Sequence, residues 1–333
     1  ADAKLSRTSG RHSLKFGVSG WYARQVTETS YRAMGIFTFD GTFTGNAMAD
    51  YMIGRPNALL ISCMYYASFW GSNYAAFAQD DFKVNRRLTL NYGVRYQLHV
   101  PYTMDRNYAA NIIPGRQSTV IPSAPPGMVY VGDAGIPNSI YAANKKNFEP
   151  RFGFAWDVTG TGRTSVRGGF GRVTSGPAGV MQQHEFENPP FQRVVSLSPP
   201  ASFSNPYGGG ADPLVGWALN DAYLKNPTWA YPFQASRTSP DFSDQSTMQF
   251  NLNVQRQVRS DVFIQAGYVG KVAHHLAVQN EWNPAVYGPG ATASNTQQLR
   301  RKRELPLAAN RRAETILAQL HDATGLHMVQ VHR

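Results

Sequence analysis

One cysteine, Cys63, stands among 333 residues, which excludes an internal disulfide and any multi-cysteine metal site. Charge is scarce as well: Asp, Glu, Lys and Arg make up 16% of the chain, where an average soluble domain carries about 25%. Long apolar runs are missing. The longest uncharged apolar stretch goes from Ala58 to Trp70, well short of the roughly 20 residues that a helical membrane span needs. The opening residues, ADAKLSRTSG, contain no basic segment followed by an apolar one, so the chain is expected to be mature, cytosolic or cut from something longer. What charge there is leans one way, with 32 Lys and Arg against 21 Asp and Glu and a formal charge of +11. Disorder is excluded by the 42% hydrophobic and 12% aromatic content.

What the chain does have is a period of two. Leu88, Leu90, Tyr92, Val94, Tyr96, Leu98 and Val100 alternate with Thr89, Asn91, Gly93, Arg95, Gln97 and His99. Met248, Phe250, Leu252 and Val254 alternate with Gln249, Asn251, Asn253 and Gln255, and the same pattern runs through Leu14–Val18 and Phe152–Val158. Successive side chains on a strand point to opposite faces, so each segment predicts a half-buried antiparallel strand. Short links at Asn85–Arg87, Gly160–Gly162 and Arg259–Asp261 predict hairpins. Pro101–Asn147 and Ser175–Ser246 are long connections that hold most of the 21 prolines, and both fall at the opposite end of the hairpins. Asn46–Gly54 predicts a short helix stopped by Gly54 and Pro56.

Ten to twelve residues rising about 3.3 Å each and tilted by about 45° span roughly 25 Å, the apolar height of an outer-membrane barrel. Periodicity alone fits a soluble β-sandwich equally well, with the apolar face packed inward. Loop asymmetry and aromatics at strand ends (Trp21, Tyr22, Tyr65, Tyr66, Phe69, Trp70, Phe82, Tyr96, Trp156, Tyr268) favour the barrel with its aromatic girdles. The expected fold is therefore all-β, an antiparallel up-and-down transmembrane β-barrel segment with long extracellular loops. The alternative is a soluble extracellular sandwich that binds glycans or surfaces through those loops.

Three stretches, Asn73–Pro101, Asn147–Arg172 and Met248–Ala285, resemble consecutive barrel hairpins of the Oar-like TonB-dependent receptors, and GRHSLKFGVSG and FTFDGTFTGNAMADYMIGRPN resemble the preceding strand and short helix of that family. The resemblance implies residues 1–298 as part of a barrel of about twenty-two strands, plugged by a separate domain and driven by the TonB system. It implies the outer membrane of a Gram-negative-type bacterium, contact with outer-membrane lipid, and passage of an unknown bulky substrate. Neither plug nor TonB box is visible, so eight to ten strands, inactive alone, are expected here.

Motifs that could carry other chemistry have simpler readings. GTGRTS at Gly160–Ser165 lacks the lysine and upstream glycine spacing of a phosphate loop and sits in a hairpin. Arg167–Gly171 reads as a strand whose glycines make room for neighbouring aromatics. His274–His275 and His184–Glu185 are adjacent pairs whose side chains diverge on a strand, so no metal site is expected. Gln79–Asp80–Asp81 suits a wet strand end with Lys83 and Arg86 as ion partners better than acid–base catalysis. No catalytic, cofactor or metal residues are assigned, no enzyme activity is expected, and the diffuse basic charge does not call for nucleic acid.

Residues 299–333 break the pattern. They carry seven basic and three acidic residues, lose the period of two, and suggest a helix over Ala308–His321. This tail is expected to be the product of a reading-frame shift. Met328–Val329 must be encoded ATG-GTN, which one nucleotide later reads TGG, the tryptophan of the family's next strand; the alternative is a genuine amphipathic helix for an acidic surface. Sequencing the gene checks this: a stop inside the shifted frame ends the idea.

Overall fold

A computed structural model of the chain describes residues 1–29, 32–63, 65–176, 183, 185–215, 219–229, 235–239, 242–277 and 288–290. The tail beyond residue 298 and its expected helix lie outside the described residues. Eight strands form one antiparallel meander, in the order β1 (Asp2–Ser9), β2 (His12–Thr29), β5 (Tyr65–Lys83), β6 (Leu88–Met104), β9 (Phe148–Asp157), β10 (Thr164–Ser175), β12 (Gln245–Gln257) and β13 (Phe263–His274). Among the described residues β1 and β13 pair on one side only, so the sheet is open. Two small sheets lie in the connections: β3 (Ile36–Thr38), β4 (Ala58–Ser62) and β11 (Val194–Leu197) make one, and β7 (Ala110–Ile112) and β8 (Met128–Tyr130) the other.

The three expected hairpins form where their turn chemistry puts them. In the β5–β6 turn the Asn85 side chain accepts from the backbone amides of Arg87 and Leu88, at 2.7 and 2.9 Å. In the β9–β10 turn Asp157 accepts from the amides of Gly160 and Gly162, both glycines at positive φ; the GTGRTS segment is thus a capped hairpin loop. The expected helix is α1 (Ala47–Met52), with Asn46 as N-cap accepting from Met48 and Ala49 and Gly54 beyond its end at φ 65°.

Register converts the sequence pattern into faces. One row across the sheet reads Leu14, Asp80, Tyr92, Phe152, Phe170, Phe250 and Gly270. The next row along the same face reads Phe16, Ala78, Val94 and Pro150, then Arg172, Met248 and Val272. The apolar face is open to the surroundings: Val94, Phe152 and Leu252 are 45–47% exposed, and Phe16, Val18, Trp156, Phe170, Val254, Tyr268 and Val272 are exposed likewise. The large buried apolar side chains lie elsewhere, in the long connections and the strand ends they touch. One core joins Phe69 of β5 and Met104 of β6 to Val129, Val131, Ile136, Ile140 and Phe186. A second gathers Ile121, Met128, Tyr130 and Phe191.

This distribution overturns the sandwich alternative. A soluble sandwich covers its apolar face with a second sheet, whereas here, among the described residues, that face is bare and both small sheets belong to the connections. It also corrects the expected girdles. Phe69 is buried in the loop core against Phe186 and Tyr102, at ring distances of 5.6 and 5.5 Å. Trp21 pairs with Asn73, opposite His99, on the polar face. Tyr22, Tyr74, Tyr96 and Phe148 toward the loop end, and Phe82, Trp156 and Tyr268 toward the turn end, do lie on the apolar face; the side chains of Tyr65 and Tyr66 lie outside the described residues.

Candidate functional site: the polar wall and the loop cap

The face opposite the apolar one is lined by amides, glycines and basic side chains. Its rows read Gly93, Arg151, Gly171, Gln249, Lys271, then Asn91, Gly153, Gly169, Asn251, Val269, then Thr89, Ala155, Arg167, Asn253, Gly267. Toward the turn end, Lys15 of β2 pairs with Asp81 of β5 at 2.6 Å, and Asp81 also accepts from Asn91 and Gln79. Toward the loop end, Asn73 and His99 meet at 2.6 Å. Glu149, almost fully buried, accepts from the amide and hydroxyl of Thr174 at 2.7 and 2.8 Å, with Arg95 and Arg151 at 4.0 and 3.8 Å.

Asp80 and Asp81 diverge as expected, but their partners differ from the expected Lys83 and Arg86. Asp81 meets Lys15 on the polar face. Asp80 turns to the apolar face, where the His12 ring and the Tyr92 hydroxyl reach one of its oxygens at 2.7 and 2.8 Å. Sequence reasoning missed the charged partners because His12 and Lys15 come from β2, some seventy residues away along the chain, and the Tyr92 hydroxyl from β6 across the hairpin, and only sheet register brings them together.

The loops at the far end fold into a cap tied by side chains that replace missing ladder bonds. Asn188 donates to the carbonyls of Ala110 and Ser236 and accepts from the Ser236 amide. Asn111 exchanges hydrogen bonds with the backbone of Thr238. Asn147 holds Asp244 at the base of the cap, where burial pushes the Asp244 carboxyl up against the opposing pull of Asn147. Asp133 caps its own loop by accepting from the amides of Thr119, Val120 and Tyr130 and from the Thr119 hydroxyl. Burial alone would raise this carboxyl, but those donors outweigh it and hold its pKa at about 2.

A carboxylate depressed on folding contributes stability that is present above its unfolded pKa, near 3.9, and lost as pH falls through the folded value. The cap should therefore stay closed at pH 5 and loosen only as pH falls from about 4 toward 2. Asp133→Ala should weaken it by about 1–3 kcal/mol at neutral pH through orphaned amides, read as faster protease cleavage within residues 105–147 of an otherwise intact barrel.

The remaining sequence candidates are placed as follows. Glu185 is fully buried within the cap, and His184 lies outside the described residues. His274 ends β13, and His275 follows at φ 55°. In Arg167–Gly171 only Gly168 makes room for an aromatic ring, that of Phe154; Gly169 and Gly171 do not, which corrects the expectation for that segment.

A meander with a bare apolar face, a polar opposite face, tight turns at one end and a folded cap at the other is the wall of a membrane-spanning β-barrel. The chain belongs to the outer membrane beta barrel domain family, whose model matches residues 1–319, and this places it in the outer membrane. Solved structures with a similar fold include the outer membrane transporter YddB from Escherichia coli, at 14% identity and TM-score 0.44 over 82% of this chain and 25% of that one. The ferric-catecholate import receptor Fiu from E. coli K12 is similar at 11% identity and TM-score 0.34, over 84% and 31% of the two chains. The Serratia marcescens hemophore receptor HasR, solved in complex with HasA and heme, is similar at 11% and 0.28, over 79% and 34%. The chain thus spans about a quarter to a third of the length of these proteins. No curated protein sequence matches it.

Proposed function

We propose that the chain is a section of the barrel of an Oar-like TonB-dependent receptor, through which a bulky substrate passes at the expense of TonB-delivered energy. The observation that carries this reading is the pairing of a wide polar wall with a loop cap that has its own core. A passive small barrel fills its interior with side chains, whereas among the described residues this eight-stranded wall keeps Gly153, Gly169 and Gly171 on its polar face. A plug, contributed by another part of the complete protein, fills such a lumen, and the section described here is inactive alone.

In this reading the turns at 84–87, 158–163 and 258–262 face the periplasm and the cap faces outward. A cysteine introduced at Gly209 of the complete protein should react with an impermeant maleimide on intact cells, and one at Ser260 should react only after lysis. The complete protein should also bind the periplasmic domain of TonB, and deletion of its plug segment should abolish that binding. Labelling at Ser260 on intact cells refutes the orientation, and a complete protein that ignores TonB refutes the energised mechanism.

A further inference from the structure

The segment leading into β9 separates its charges by side. Asn147 and Glu149 are buried, and so is Asp244, which Asn147 holds. Glu149 accepts at one oxygen from the amide and hydroxyl of Thr174. Both carboxylates of this corner are thus enclosed at the base of the cap. Lys145 and Lys146 are exposed, and Phe148 turns to the apolar face, where it is 54% exposed.

Side-chain contacts fix this segment to the apolar face. The Tyr96 ring packs on that of Phe148 at 5.1 Å, and the Tyr96 hydroxyl donates to the Lys145 carbonyl at 3.3 Å. Arg172 of β10, on the same face, donates from Nη1 to the Phe148 carbonyl at 3.2 Å. Three basic residues therefore gather beside one aromatic pair. The bond to Phe148 uses one of the several N–H donors that an arginine carries, and among the described residues no carboxylate lies within ion-pair distance of Arg172, Lys145 or Lys146. Arg24, the other arginine on the apolar face toward the loop end, is by contrast paired: it meets Asp105 and Ser68 Oγ, both at 3.0 Å.

Depth follows from strand length. β9 has ten residues, and such a strand, tilted by about 45°, crosses roughly the 25 Å of the apolar band. Its first residue, Phe148, then lies at the loop-side boundary of that band, with the two lysines just beyond it. The Arg172 guanidinium, in contact with the Phe148 carbonyl, is at the same level. An arginine on a lipid-facing position is tolerated when its stem carries the charge up to the headgroups.

We propose that Lys145, Lys146 and Arg172 form a site on the outer rim of the barrel wall for the phosphate of an outer-leaflet lipid, whose acyl chains lie along Phe148, Val94 and Phe152 on the bare face below. Charge complementarity selects the occupant: three bases without a carboxylate partner border an apolar surface, so the ligand is anionic at its head and apolar beneath. The outer leaflet follows from the outward-facing cap of the reading above.

The test titrates the complete protein in non-ionic detergent with lipid A, with dephosphorylated lipid A of the same acyl chains, and with inorganic phosphate as competitor, bound lipid being counted by native mass spectrometry. The phosphorylated lipid should be retained and the dephosphorylated form lost. Lys145→Gln, Lys146→Gln and Arg172→Gln together should weaken retention by about tenfold or more. The lysine pair alone, which leaves the Arg172 bond to Phe148 untouched, should give a smaller loss in the same direction. Arg163→Gln with Arg259→Gln, at the turn end, should change nothing, and all variants should keep the heat-modifiable mobility of a folded barrel. Equal retention of the two lipids overturns the proposal, as does wild-type affinity in a folded triple variant, since the bases then serve another partner. An equal loss from the turn-end pair also overturns it, because the attraction is then a matter of net charge, and so does displacement by inorganic phosphate at the concentration of the lipid, because the ligand is then free phosphate. Failure of the orientation is separate: it shows as labelling at Ser260 on intact cells, while the detergent titration still reports on the site.

Discussion

Phe186→Ala should open the loop cap while leaving the barrel folded. Phe186 is fully buried in the core that joins Phe69 and Met104 to Val129, Val131, Ile136 and Ile140. Truncating such a phenylalanine removes its transfer free energy and leaves a cavity, together about 3–5 kcal/mol. The loops have no long regular ladder to fall back on: the described helices have three to six residues and the strands of the two small sheets three to five. The expected readout is a large rise in protease cleavage within residues 105–147 and 185–244, with the strands protected and heat-modifiable mobility retained. If cap and barrel melt together, the cap is not a separate cooperative unit.

Phe170→Arg should be equally informative for the sheet. Phe170 stands in mid-strand between Phe152 and Phe250 on the apolar face. An arginine facing lipid at the midplane of a barrel costs about 2–4 kcal/mol, whereas its neighbour-row counterpart on the polar face, Asn251→Arg, should cost less than about 1. Both changes are measured as unfolding free energies of the complete barrel in lipid. Tyr92 looks an equally good target from periodicity, but its hydroxyl reaches Asp80 at 2.8 Å. An arginine there would find a carboxylate partner, and the contrast between faces would shrink. A Phe170→Arg barrel as stable as wild type in lipid would mean that this face is covered by protein.

The strand faces, the three tight hairpins and the capped helix at Ala47–Met52 are legible in the amino-acid order because each depends on neighbours close along the chain. Alternation assigns Leu90 and Asn91 to opposite faces whatever they pack against, and Asn85, Asp157 and Asn46 satisfy amides within five residues. Other features could not be read that way. β1, with Lys4 and Arg7 interrupting it, has no clean alternation and is a strand only because its eight residues pair with Ser19–His12. The outer halves of β2 and β5 extend beyond the band of alternation because they pair with each other up to Thr29 and Tyr65. The cap core unites Phe69, Val129 and Phe186, separated by long irregular segments, and local pattern is silent about contacts of that span. Glycine shows the division most sharply. Gly168 and Gly169 are neighbours of one residue type, yet the space beside one is filled by the Phe154 ring, while a Cβ on the other would meet only ordinary contacts with Asn251 and the Phe152 carbonyl. That difference is set by cross-strand partners and by the side each residue turns to, which exist only once the sheet has chosen its register.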